Sequence, residues 1–113
     1  MKLDRSINDN GRGKYALLKL RKLDEFTEQG AFGELAKPIA DAIKVLEDAG
    51  ILDWGLDGSE SEFFVMRLKD KYAGNALGHY ALAAVKDDPE YAAEVMALAK
   101  RAGSNSPFCK EPD

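Results

Sequence analysis

Cysteine occurs once in the 113 residues, as Cys109, and histidine once, as His79. A single cysteine excludes an internal disulfide, and the two residues together exclude a zinc site built of four Cys or His ligands from one chain. No run approaches the roughly 20 apolar residues of a membrane span. Residues 1–10 alternate charged and polar side chains and lack the apolar centre of a signal peptide. These absences point to a cytoplasmic protein with no membrane partner. Charge of one sign is also scarce, since 16 Lys and Arg stand against 20 Asp and Glu, for a net charge of -4. That balance disfavours a phosphate-backbone binder and is too small and too mixed for a mimic of DNA, so nucleic acid is not the expected partner. No catalytic or metal-binding motif occurs, and the expectation is no cofactor and no enzymatic activity.

With 45% hydrophobic residues, the chain is apolar enough to bury a core and has the size of one domain. Residues 1–113 read as a single domain, with 1–13 a flexible arm and 104–113 an irregular tail in which Phe108 could be pinned to the body. The stretch from Pro38 to Asp70 organises the rest. Ile39, Ile43 and Leu46 continue a stripe begun by Phe32, Leu35 and Ala36, at steps of three and four residues that define a half-buried helix. Pro38 lacks an N–H, which places the main helix at Pro38–Ala49 with a separate turn or kink before it. Gly50 stops that helix, with Ile51 folding back on Leu46 in a Schellman cap.

Leu52, Trp54 and Leu56 alternate, Asp57-Gly58-Ser59 has turn chemistry, and Glu62–Lys69 is the most strand-like run of the chain, so 52–68 reads as a hairpin. Lys14–Leu23 fits either a strand or a helix, and the strand is preferred. Asp70 and Asp88 are candidate N-caps. The first begins a helix to about Lys86 with Ala73, Ala76, Leu77, Tyr80 and Ala84 as its stripe. The second, followed by Pro89, begins a helix with Tyr91, Ala92, Val95, Leu98, Ala99 and Ala102 inward and Gly103 as its stop. Gly74 and Gly78, four apart, imply a close backbone contact with another helix or a ligand, with helix packing preferred. The fold class is therefore α+β: a small sheet of two or three strands covered by about three helices, closed as a homodimer because so few strands leave open edges.

Candidate binding residues are few. Arg12 and Lys14 flank Gly13 in Asn10-Gly11-Arg12-Gly13-Lys14, a loop able to offer N–H groups and charge to a phosphate, although it lacks the Gly-Lys-Ser or Gly-Lys-Thr ending of a P-loop. Lys19 and Arg21 on one strand and Arg67 and Lys69 on another would line a basic sheet face if the strands ran parallel. Trp54 beside Gly55 serves as a recognition platform or a core anchor. His79 is the one side chain with an ordinary pKa near neutrality, yet Asn75 and Leu82, its helical neighbours, supply no nucleophile. Asp57, Glu60 and Glu62 are too closely spaced for a calcium loop and read as a solvated tip that could meet a basic partner.

Two resemblances follow from longer runs. AIKVLEDAGILDWGLDGSESEFFVMRL resembles the recognition helix and wing of winged-helix regulators, which implies DNA binding through Pro38–Ala49, although the helix and wing carry Asp41, Glu47, Asp48, Asp57, Glu60 and Glu62. NDNGRGKYALLKLRKL, EFFVMRLKDKYAGNALGHYALAA and DPEYAAEVMALAKRAG, followed by SPFC and a terminal Pro-Asp, are together similar to small accessory proteins of tailed bacteriophages. That similarity implies a non-enzymatic factor, of an anti-defence kind, that binds a host protein. A sponge for a phosphorylated small molecule such as a nucleotide signal is the alternative that the basic residues allow, and a winged-helix regulator is the other.

Overall fold

The computed structural model describes Leu3, residues 12–23 and residues 33–112. Among the described residues a short helical turn at 20–23 precedes α1 (Gly33–Asp48), α2 (Ala73–Ala84) and α3 (Pro89–Ala99), with a short 3-10 turn at Gly103–Asn105. The chain divides into two compact units, Leu17–Phe64 and a second made of Met1–Ala16 with Val65–Asp113.

In the first unit α1 runs without interruption from Gly33 to Asp48 and carries Pro38 inside it. The expected break before Pro38 does not occur. The bond that Pro38 cannot make would reach the carbonyl of residue 34, in the first turn, so the missing donor costs the helix one early bond. Ile39, Ile43 and Leu46 are half-buried and Lys37, Asp41, Lys44 and Glu47 exposed, as the stripe predicted. Lys37–Asp41 at 2.9 Å and Lys44–Asp48 at 3.4 Å are exposed pairs one turn apart and add little stability. The helix closes in a Schellman cap: Gly50 has φ +73°, its N–H donates to Glu47 O at 3.0 Å, and the Ile51 N–H donates to Leu46 O at 2.9 Å. The Ile51 side chain nonetheless stays exposed.

The second unit is a pair of helices and the chain that ties them. Asp88 caps α3, accepting the Tyr91 N–H at 3.0 Å with Pro89 in the first turn. Ala92, Val95, Ala99 and Ala102 are buried, with Tyr91 and Leu98 half-buried, as expected. On α2 the buried residues are Ala73 and Ala81, while Ala76 and Tyr80 point outward. The stripe is rotated from the expected one because the axes meet at small residues. Gly74 faces the Ala99 and Ala102 carbonyls, and a Cβ on it would lie 3.3 Å from Ala102 O. A ring at that depth would force the helices apart, so Tyr80 lies outside and shares a 3.1 Å hydroxyl hydrogen bond with Tyr91. Gly78, by contrast, has nothing within 4 Å of its Cβ position, so close packing explains the first glycine and not the second. Asp70 does not cap α2; it accepts the Tyr72 N–H at 2.8 Å in a turn that precedes the helix. Beyond α3, Gly103 donates to Leu68 O at 2.7 Å, and Lys110 exchanges backbone bonds with Lys69 and Lys71. Lys71 also pairs with Glu111 at 2.7 Å. The tail is thus held by its backbone, and Phe108, expected as its pin, is exposed.

The α+β expectation is overturned. Among the described residues there is no strand, and the one β-type pairing is the isolated parallel bridge Asp70–Lys110. Residues 14–19 are irregular and 20–23 helical, with Leu23 N–H donating to Lys19 O at 3.1 Å. Residues 51–56 and 62–67 make no ladder with each other, so neither the hairpin nor a wing forms. High β propensity records how side chains sit on a pleated surface and supplies no partner strand by itself. Without strand edges, the argument for a homodimer loses its premise. Most of the arm, residues 1, 2 and 4–11, lies outside the described residues, as do residues 24–32, Phe32 of the expected stripe among them.

Candidate functional site

In the unit Leu17–Phe64 the Schellman cap turns the chain out of α1 into a loop that its own short bonds hold in shape. The Asp53 carboxylate accepts the Gly55 N–H at 2.8 Å. This bond, with a second from the Ser61 hydroxyl, holds the Asp53 pKa below the usual carboxylate range. Gly55 takes φ +57°, and the Phe63 ring lies over it so closely that a Cβ would fall 2.2 Å from Phe63 Cδ1. At the tip, Ser59 N–H and Oγ both donate to Leu56 O, at 3.0 and 2.6 Å. Gly58, with φ +80°, donates to Glu62 Oε1 at 3.0 Å, and the Glu62 N–H returns to Ser59 O at 3.2 Å. The Asp-Gly-Ser turn is where its chemistry placed it.

This scaffold holds apolar side chains in water. Phe64 is 88% exposed, Ile51 73%, Leu56 69%, Phe63 58% and Trp54 40%. Isolated exposed apolar residues are ordinary, but five within fourteen consecutive positions give this loop the aromatic composition of an interface.

Of the residues singled out in the sequence, Trp54 belongs to this loop. Arg12 and Lys14 are exposed in an irregular stretch, and Asn10 and Gly11 of the same motif lie outside the described residues. Lys19 and Arg21 are exposed beside the helical turn 20–23, in the first unit; Arg67 is exposed and Lys69 half-buried, in the second. No sheet face gathers these four, so the geometry that favoured a phosphate-ligand sponge is not formed. His79 is exposed on α2, and its side chain takes part in no hydrogen bond or ion pair among the described residues. Cys109 is exposed. No group of three His, Cys, Asp or Glu able to hold a metal occurs among the described residues, and no described helix is long and apolar enough to cross a membrane.

Ile51, Leu56, Phe63 and Phe64 were missed as surface residues. The signal was the Phe63-Phe64 pair itself: adjacent residues of a strand face opposite ways, so a one-sided sheet could bury only one of the rings. No protein-family model, curated protein or solved structure matches this chain.

Proposed function

We propose that the chain is a non-enzymatic binding protein, the class that the resemblance to phage accessory factors implies, and that it engages a partner protein through the loop Ile51–Phe64. The observation that carries this reading is the set of large apolar side chains held outward on a stapled loop. Desolvating one such side chain contributes about 1.5–3 kcal/mol, so four of them supply roughly 6–12 kcal/mol. Association costs about 4–15 kcal/mol in lost freedom, so the apolar contact alone supports a weak complex, and a tight one needs polar contacts around it.

The test compares the tagged full-length chain with its Phe64→Asp variant, each recovered gently from a bacterial lysate. Because Phe64 is 88% exposed, the substitution changes stability by no more than about 0.5 kcal/mol. The expected result is a stoichiometric second protein with the wild-type chain that is lost with the variant. The same proteins on both, or none on either, would refute the proposal.

A further inference from the structure

We infer that the surface fitting this loop is an apolar cleft in another protein, ringed by lysine and arginine and entered by Phe64. The inference rests on the protein-binding reading above and adds the chemistry of the partner.

Charge distribution carries it. Residues 51–66 contain Asp53, Asp57, Glu60 and Glu62 and no Lys or Arg, a formal charge of 0 - 4 = -4. That equals the net charge of the whole chain, so the remaining residues are balanced, with 20 - 4 = 16 acidic against 16 basic side chains. The entire excess of negative charge therefore falls in the same run of sequence as the exposed apolar residues of this loop. All four carboxylates belong to exposed residues. Two are fixed in position by the loop itself, Asp53 by the Gly55 N–H and Glu62 by the Gly58 N–H. A fixed charge loses less freedom when it pairs, and a ring of opposite charge on the partner would steer encounter and set register.

The same charges decide against the other occupants. An isologous contact between two copies sets the patch against itself, four carboxylates facing four. An anionic bilayer, which exposed Trp and Phe could otherwise enter, repels the loop by the same amount per charge that it attracts basic segments. A basic-rimmed protein cleft satisfies both the apolar and the charged parts of the surface.

The experiment uses the full chain with p-benzoylphenylalanine in place of Phe64, irradiated in soluble bacterial lysate at about 0.05 M and about 0.5 M NaCl, salt levels that straddle effective screening. The control carries the photoreactive residue in place of Val45, exposed on α1. Mass spectrometry of the adduct identifies the partner peptide. The expected adduct lies in an apolar depression flanked by Lys and Arg, and its yield falls by at least about 3-fold at the higher salt. The variant Asp57→Asn/Glu60→Gln, which leaves both carboxylate staples intact, should lower the yield similarly at low salt and remove most of the salt effect. An adduct on a neutral or acidic surface, or one indifferent to salt, overturns the inference and leaves the protein-binding reading standing. An adduct with a second copy, or a blue shift of Trp54 fluorescence on vesicles of phosphatidylcholine and phosphatidylglycerol, overturns it in favour of that occupant. No adduct above the Val45 control removes the inference and the reading together.

Discussion

Replacing Gly103 by alanine tests how the helical unit is held together. Gly103 sits at φ +60°, and a Cβ there would lie 3.0 Å from Lys71 O and 3.1 Å from Gly74 N. The left-handed conformation costs a non-glycine residue about 1–2 kcal/mol. Crowding two backbone atoms that cannot move aside adds about 1–3 kcal/mol, and the stiffer unfolded chain returns about 0.4–1 kcal/mol. The net loss is about 1–5 kcal/mol, which for a domain of this size lowers Tm by on the order of 10 °C. The same substitution at Gly78 should do the opposite. Its Cβ meets nothing within 4 Å, so Gly78→Ala gains helix propensity of about 0.8–1 kcal/mol. Gly74→Ala, 3.3 Å from Ala102 O, gains the same propensity and loses it again to crowding, for a change near zero. Thermal unfolding followed by far-UV circular dichroism reads all three. The order Gly78→Ala above wild type, Gly74→Ala beside it and Gly103→Ala well below is required. If Gly103→Ala melts with the wild type, the close approach of Gly103 to the start of α2 is wrong.

Three further outcomes are expected. Asp88→Ala removes the acceptor for the Tyr91 N–H and should lower the melting temperature, with Asp88→Ser recovering most of the loss; an unchanged melt would remove the cap. The Tyr80 hydroxyl bond raises the Tyr91 pKa. Since the folded value lies above the unfolded one, the stabilisation is complete below the ordinary tyrosine pKa near 10 and is lost as pH rises through the elevated value. Ultraviolet titration should show one late tyrosine that moves earlier in Tyr80→Phe, and a single unshifted transition in both proteins would contradict the pairing. Gly55→Ala forces the Phe63 ring off its seat, so the Phe63 ring protons should shift in NMR spectra while the Ser59 and Glu62 amides of the tip keep theirs; an unmoved ring would refute the packing.

What could be read from the sequence was what short-range chemistry decides. The Asp88-Pro89 start, the Gly50 cap and the Asp57-Gly58 turn each depend on residues within five positions of one another, and each formed. The close approach at Gly74 was also legible, because a glycine inside a helix needs a reason. The strands were not, because a ladder needs a second strand that no local run can guarantee; Glu62–Lys69 has the side chains of a strand without a neighbour to pair with. The face of α2 was misjudged for a related reason. Periodicity offered Tyr80 as core, whereas the depth available between backbones at Gly74 and Ala102 admits only methyl groups. The loop 51–64 was visible as composition, yet it was read as a hairpin, and its large side chains are exposed on a loop that forms no ladder.

The buried set of the helical unit, Ala73, Ala81, Ala92, Val95, Ala99 and Ala102, has a consequence for how this sequence can drift over generations. In most domains the large apolar residues are the immovable ones and alanines are open to change. Here the buried alanines leave little room to grow, while many of the large side chains among the described residues, Phe63 and Phe64 included, stand in solvent, where folding places little demand on them. Purifying selection imposed by the fold should therefore fall on small residues, and any constraint found on Phe63 and Phe64 would have to come from something outside the molecule.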